Sequence, residues 1–277
     1  MQINRVAAFT LDGQGGNPAG VVIADALPPT ADMQRLAADV GYSETAFAAP
    51  AGPGFTVRYF SPESEVPFCG HATIALGAVL GQRFGYDRYP LSLSASDIEV
   101  EALERDGAPY AVLRSPRTSN RSVPVDIEQE ALALFGYRPD EVDGILPMAF
   151  ANAGAEHLII PLAARSFLAR MTYDLDQGRT FMNEHGLVTV AFVVREAERL
   201  FHVRNAFASG GVVEDPATGA AAAALAGLLR DQGLLGKGTA TIKQGDDMGR
   251  PSQIDLEFTG VVGSSIAVGG AVAWISD

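Results

Sequence analysis

The stretch EDPATGAAAAALAGLL, residues 214–229, constrains the fold more than any other part of the chain. Five consecutive alanines, Ala220 to Ala224, predict a helix, because alanine has the highest intrinsic helix propensity. Apart from Leu225, Leu228 and Leu229, this helix has little with which to anchor itself. A helix so slim is best explained if other backbone closes tightly around it. Its first turn then lies deep in the protein, with N–H groups that need a partner. The acidic elbow Glu214-Asp215-Pro216 leads into that buried end.

A second small-residue helix is predicted over CGHATIALGAVLGQRFG, residues 69–85. Placing GHATIALGAVL (70–80) over GAAAAALAGLL (219–229), an offset of 149, superposes Gly70 on Gly219 and Ala72 on Ala221. Ala75, Leu76 and Leu80 then fall on Ala224, Leu225 and Leu229. Both copies follow an acidic, proline-containing loop. The echo predicts two similar lobes, each wrapping strands around one slim helix.

The remaining text reads mainly as strands. In the first half these run over 3–10, 19–24, 43–50, 54–60, 91–104 and 109–114. Thr30 is expected to cap a helix through Val40, with Met33, Leu36 and Val40 on one face. The polar piece 114–126 reads as the linker between halves. In the second half a helix begun by Asp126 is expected over 126–135, with helical text near 163–170 and 175–185. Strands are expected over 147–161, 187–194, 199–204, 240–244, 253–258 and 265–275.

Net charge is −13, from 20 basic and 33 acidic residues. A polyanion would be repelled, and no basic run offsets this, so nucleic acid is excluded as a partner. No apolar stretch reaches the ~20 residues of a membrane span. The N-terminal residues lack a secretory pattern, and the single cysteine, Cys69, rules out an intrachain disulfide and fits a reducing compartment. A cytoplasmic protein is expected.

Several residues are candidates for chemistry. Gly70 and Gly219 sit at helix N-termini, where partial positive charge and unpaired N–H donors can receive an anion such as a carboxylate; the plainer reading is that each only permits tight helix packing. Glu44 lies beside apolar residues at the start of a strand. Desolvation penalises a carboxylate's charged form, which suits such a group to take and return a proton; the plainer reading is a surface glutamate. His71, in the first turn of its helix, either donates to a substrate or packs. Asp215 either caps its helix or lines the same site.

Other motifs carry less. GQGGNPAG (13–20) leads into a strand where a dinucleotide fingerprint requires a helix. Cys69 and His71 are two residues apart, a spacing that points them to different faces of a helix and argues against a thiol–imidazole pair. One cysteine with scattered histidines gives no zinc signature, and His157, His185 and His202 read as structural or surface residues.

Four blocks, GNPAGVV (16–22), SETAF (43–47), FSPESEVPFCGHAT (60–73) and GVVEDPATGA (211–220), together resemble the PhzF-like isomerases of phenazine biosynthesis. They occur in family order and span nearly the whole chain. The resemblance implies an α+β fold like diaminopimelate epimerase, with two pseudo-symmetric lobes, each an antiparallel sheet or barrel wrapped around a central helix. The lobes are expected at 1–115, joined by a C-terminal strand at 265–277, and at 126–264, with the active site between them.

Carried over by motif, the resemblance makes Glu44 the acid/base, with His71 and Asp215 lining the same pocket. The amides at Gly70, His71, Gly219 and Ala220 would hold a substrate carboxylate, with Asn17 and Ser43 as further contacts. Where the best-known members read Thr-Gly-Ser, this chain reads Thr-Gly-Ala; Ala220 lacks the hydroxyl but keeps the backbone amide. The family needs no metal, flavin or pyridoxal cofactor, and a homodimer is implied. Its two-thiol relatives racemise with one cysteine on each helix, which a single Cys69 cannot do.

The expected function is therefore a cofactor-independent isomerase that moves a proton and a double bond in a small carboxylate-bearing molecule. The alternatives are an epimerase of the same fold using Cys69 as a second base, and a non-catalytic protein that binds a small acid.

Overall fold

The computed structural model describes residues 2–94 and 97–275. Positions 95 and 96 of the expected strand 91–104, and 276–277 of the expected strand 265–277, lie outside the described residues. The chain divides into two compact units, Met1–Arg114 with Gly269–Asp277, and Ser115–Val268.

The first unit contains β1 (Asn4–Thr10), β2 (Asn17–Ile23), α1 (Thr30–Val40), β3 (Glu44–Ala51), β4 (Gly54–Phe60), β5 (Glu65–Val66), α2 (Gly70–Phe84), β6 (Arg88–Ser92), β7 (Asp97–Arg105) and β8 (Ala108–Arg114). The second contains β9 (Ser119–Ser122), α3 (Val125–Leu134), β10 (Ala149–Asn152), β11 (Glu156–Pro161), α4 (Arg165–Ala169), α5 (Leu175–Glu184), β12 (Thr189–Ala197) and β13 (Leu200–Ala206). It continues through β14 (Glu214–Asp215), α6 (Gly219–Asp231), β15 (Gly238–Gln244) and β16 (Ser252–Phe258), before β17 (Ala267–Trp274) returns to the first unit.

In the first unit the strands form a ring. β1 pairs antiparallel with β2, β2 parallel with β3, β3 antiparallel with β4, and β4 parallel with β6. β7 and β8 continue antiparallel, and β17 pairs with both β8 and β1. The two parallel pairs need crossovers, which α1 and α2 supply. α2 runs inside, and every residue from His71 to Gly81 is buried. Such an all-round buried helix needs small side chains, and a Cβ on Gly77 would stand 2.6 Å from Val100 and 3.0 Å from Ala111. Outside the ring, Met33 and Ala37 of α1 cover Val22, Phe47 and Phe60.

The second unit repeats the order. β10–β11 is antiparallel, β11–β12 parallel, β12–β13 antiparallel, and β13–β15 parallel with α6 as the crossover, followed by antiparallel β16. α3, α4 and α5 cover its outer face with an aromatic cluster that includes Phe135, Phe181 and Phe192. α6 is buried from Ala221 to Arg230, and the Arg230 guanidinium is satisfied by Asp231, Thr118 and Ser264. These mixed α+β units, strands about a buried helix, make the fold diaminopimelate-epimerase-like.

Local differences from the sequence reading have simple causes. Pro29, not Thr30, is the N-cap of α1, and Thr30 Oγ1 instead accepts from Arg58 at 3.0 Å. Pro124, not Asp126, is the N-cap of α3, with φ −59° and ψ 144°, and makes no side-chain cap bond. The expected linker 114–126 contains β9, which pairs with β10. The expected strand 147–161 is two strands joined by a turn. Among the described residues no helix is long and apolar enough to cross a membrane.

Candidate active site

In the first unit a cluster gathers at the N-terminus of α2. Cys69 is the N-cap, in extended backbone with φ −145° and ψ 116°, and its side chain makes no cap bond. The first-turn amides therefore have neither an intrahelical acceptor nor a capping side chain. A Cβ on Gly70 would meet nothing within 4 Å, so packing within the protein does not demand glycine there. The helix start is held from below: Thr73 Oγ1 donates to the Cys69 carbonyl at 2.7 Å, and the Tyr59 hydroxyl lies 2.7 Å from Thr73 Oγ1. Burial pushes the Tyr59 hydroxyl's pKa well up, which keeps it a donor in this chain.

Glu44 opens β3, in register with Ala19 of β2. Its side chain is 14% exposed and that of His71 8%, and Glu44 Oε2 lies 3.4 Å from His71 Nε2. Ser43 Oγ is 3.3 Å from the same nitrogen. The other ring nitrogen, Nδ1, lies 3.4 Å from Cys69 Sγ. This contact corrects the sequence argument against a Cys69–His71 pair. The two-residue spacing separates side chains only when both residues are helical, whereas Cys69 is extended and its thiol folds back over the imidazole. The thiol lies nearer Nδ1 than Nε2, and Nε2 is the nitrogen that faces Ser43 and Glu44. Asn17, 2% exposed, lies on the same strand face as Ala19, two residues before it. The β1–β2 ladder ends at Asn17, where Phe9 takes φ 63° beside a bulge.

In the second unit a cluster gathers at the N-terminus of α6. Asp215, 8% exposed, pairs with Asn205 across β14 and β13. It does not share the role of N-cap, which falls to Thr218, whose side chain makes no cap bond. Gln244 is fixed by backbone at both ends: its Nε2 donates to the Asp215 carbonyl at 2.7 Å and its Oε1 accepts from Thr218 N at 3.2 Å. That orientation sends Nε2 to Thr218 Oγ1 as well, at 3.1 Å, and Asn205 Nδ2 donates to the same oxygen. With both lone pairs taken, the Thr218 proton goes to Asp215 Oδ2. Beside it, Glu214 receives a bidentate pair from Arg204 at 3.0 and 2.6 Å.

The two clusters are built on one plan and then differentiated. Arg58 holds Glu65 bidentately at 2.7 and 2.6 Å, as Arg204 holds Glu214. Register then makes Val66 the counterpart of Asp215 and Thr189 the counterpart of Glu44. The first unit carries its carboxylate on the strand, the second on the elbow. Thr189 meets instead the fully buried His157, with 2.7 Å between Oγ1 and Nδ1. His185 and His202 pair with Glu130 and Glu196. Glu44, His71, Ser43 and Cys69 thus share one cluster, while Asp215 lies at the first turn of the helix that Gly219 and Ala220 begin.

Sequence reasoning missed Thr218, Asn205 and Gln244. Thr218 lay inside the quoted EDPATG block. Asn205 and Gln244 carry no local signal, because strand pairing alone brings them to the elbow. The echo also extends upstream of the helices at the same offset of 149, pairing Glu65 with Glu214 and Pro67 with Pro216.

A repeated unit of strands about a buried helix, with proton-carrying side chains at that helix's N-terminus, defines the class of diaminopimelate-epimerase-like isomerases. The chain matches the family described as phenazine biosynthesis-like protein over residues 6–276. It is 34% identical over 281 residues to an uncharacterized isomerase of Deinococcus radiodurans, covering 97% of this chain and 91% of that one. It is 30% identical over 255 residues to the trans-2,3-dihydro-3-hydroxyanthranilate isomerase of Pseudomonas fluorescens, covering 89% and 86%. The Bacillus anthracis phenazine biosynthesis protein of the PhzF family shares the fold with a TM-score of 0.88 at 22% identity, covering 100% and 98%. The protein belongs to the PhzC/PhzF phenazine biosynthesis-like family and is an isomerase.

Proposed function

We propose that the protein moves a proton, and with it a double bond, within a small carboxylate-bearing substrate, with Glu44 as the acid/base. The observation that carries this reading is the position of Glu44, shielded from water and 3.4 Å from an imidazole that is itself backed by a thiol. A carboxylate so placed can take a proton from carbon and return it to a neighbouring carbon on the same face. His71 holds the carboxylate in place and offers Nε2–H to charge that develops on the substrate.

A substrate carboxylate is received by first-turn amides, those of Gly70 and His71 on α2 or those of Gly219 and Ala220 on α6, with Asn17 and Ser43 as side-chain contacts in the first unit. Helix N-termini receive anions without a lysine or arginine, and the open space around Gly70 suits that role. Asp215, which receives the Thr218 proton, accepts a hydrogen bond from a substrate hydroxyl or amine. The proton chemistry assigned here uses side chains of the protein alone.

The test uses trans-2,3-dihydro-3-hydroxyanthranilate, the substrate in the name of the Pseudomonas relative, in deuterated water. The reading predicts turnover with one solvent deuteron placed at a single carbon of the product. Turnover without solvent exchange in either product or recovered substrate, over many cycles, would point to another route. The contact between Cys69 and His71 supports a second reading, an epimerase with Cys69 as a second base. Cys69→Ala separates the two, since only the epimerase loses its activity.

A further inference from the structure

The elbow of the second unit is gripped from the face opposite Asp215. Successive side chains of a strand take opposite faces, and the ladder between β13 and β14 shows which. Asp215 lies opposite Asn205, and Glu214 opposite Ala206. Arg204, two residues before Ala206, therefore shares the face of Glu214, while Asn205 shares that of Asp215. Arg204 Nε and Nη2 donate to Glu214 Oε1 and Oε2 at 3.0 and 2.6 Å. Its Nη1 donates to the carbonyls of Leu168, Ala169 and Met171 at 3.4, 3.0 and 3.2 Å. Those carbonyls stand at the end of α4 and just beyond it, so the guanidinium ties the elbow to a helix that covers the outer face of the sheet. From the inner face, the Asp215 carboxylate takes the Thr218 proton and the Asp215 carbonyl accepts from Gln244.

The first unit repeats the pairing without this depth. Arg58 and Glu65 stand in the same register as Arg204 and Glu214, and make the same two bonds at 2.7 and 2.6 Å. There Nη1 reaches the Thr30 hydroxyl at 3.0 Å, where Arg204 holds three backbone carbonyls. The side chains of Arg58 and Glu65 are 27% and 35% exposed, against 12% and 5% for Arg204 and Glu214. Burying an ion pair adds little stability on balance, because desolvation offsets the attraction, so the depth of this pair calls for another reason. The next residue supplies one: Val66 follows Glu65, whereas Asp215 follows Glu214.

We propose that Arg204 and Glu214 are positioning residues for Asp215: fixing one face of the elbow fixes where the carboxylate on the opposite face points. The importance of this for turnover rests on Asp215 as a substrate contact, as proposed above. Arg204 lies on the other face of the sheet from that contact and acts on it through the elbow's backbone. A lysine at 204 keeps the charge but is a point donor, which cannot grip both carboxylate oxygens and three carbonyls together. Asp215 then loses its fixed direction, and misplacement by ~1 Å in an active site costs up to ~10²-fold in rate.

Crystal structures of the wild type and of Arg204→Lys test the positioning without any substrate. The expected result is an Asp215 carboxylate moved out of hydrogen-bond reach of Thr218 in the variant; an unmoved carboxylate overturns the proposal. Its effect on turnover is read by a double-mutant cycle on kcat/KM with trans-2,3-dihydro-3-hydroxyanthranilate. Arg204→Lys is expected to lower kcat/KM by ~10–100-fold, and Asp215→Asn by at least as much. The two losses do not add: Arg204→Lys has no further effect once residue 215 is asparagine. A residue that merely supports the fold would multiply the two losses in the double variant, and that result overturns the proposal, as does an Arg204→Lys protein at the wild-type kcat/KM. An Asp215→Asn protein at the wild-type kcat/KM, with Asp215 displaced in the Arg204→Lys crystal, removes Asp215 from the reaction while leaving the positioning in place. Urea unfolding checks that each assayed variant is folded. Where Arg204→Lys does not fold, Glu214→Gln replaces it in both experiments, since it keeps the side chain's size and one acceptor oxygen for Arg204.

Discussion

His71 presents Nε2 to Glu44 at 3.4 Å and Nδ1 to Cys69 at 3.4 Å, so one imidazole joins the strand carboxylate to the helix cap. The consequence is measurable. Removing the ring in His71→Ala takes away the ion-pair partner of Glu44 and is expected to lower kcat by ~10²-fold or more, the usual scale of a lost acid/base partner. His71→Gln, which can place an N–H near the Nε2 position, should recover part of that loss. Equal activity in the two variants would show that the donor at Nε2 is immaterial.

The glycines of α2 separate packing from function. Gly77→Ala puts a methyl 2.6 Å from Val100 and 3.0 Å from Ala111, and overpacking of this kind costs about 1–3 kcal/mol. Urea unfolding should show that loss. Gly70→Ala meets nothing within 4 Å, so its stability should match the wild type while its affinity for a carboxylate substrate falls. A destabilised Gly70→Ala protein with normal substrate affinity would return this glycine to a packing role.

Thr218 is the hinge of the second unit's cluster. Its hydroxyl receives Asn205 and Gln244 and donates to Asp215. Thr218→Val removes the hydrogen bond to a carboxylate, and kcat/KM is expected to fall ~10–100-fold, from the typical worth of a charged hydrogen bond. Thr218→Ser should restore it. If the valine variant turns over normally, the network is architectural only.

Much of this was legible in the sequence, and the reasons are physical. The alanine run and the Gly-His-Ala-Thr helix revealed two buried axes because only small side chains let backbone close around a helix. Glu44, His71 and Asp215 were legible through short contiguous blocks. Asn205 and Gln244 were not, since Asn205 meets Asp215 through strand pairing and Gln244 reaches its carbonyl from 29 residues away in the chain. The Cys69–His71 contact was misread for a different reason: a helix boundary displaced by one residue turns an extended cap into a helical position and reverses where its side chain points.

His157 gives the fold a pH dependence of its own. Burial pushes its pKa down to about 4 from 6.5, so the folded protein keeps the ring neutral. Once pH falls below 6.5 the unfolded chain takes a proton that the folded one refuses. Its contribution is therefore full above pH 6.5 and is lost progressively towards pH 4, by about 3 kcal/mol in total. Urea unfolding across that range should show a steeper decline for the wild type than for His157→Gln. Parallel pH profiles for the two proteins would mean that the ring is protonated in the folded state.

The central claim is that Glu44 carries the proton. Its most direct test is Glu44→Gln, a substitution that keeps shape and hydrogen bonding but removes the basic oxygen, assayed by NMR for solvent-deuterium incorporation into trans-2,3-dihydro-3-hydroxyanthranilate and its product. The account predicts a folded protein with the wild-type unfolding transition whose exchange and turnover both fall by ~10²–10⁴-fold. A folded Glu44→Gln protein that exchanges deuterium at the wild-type rate would contradict it.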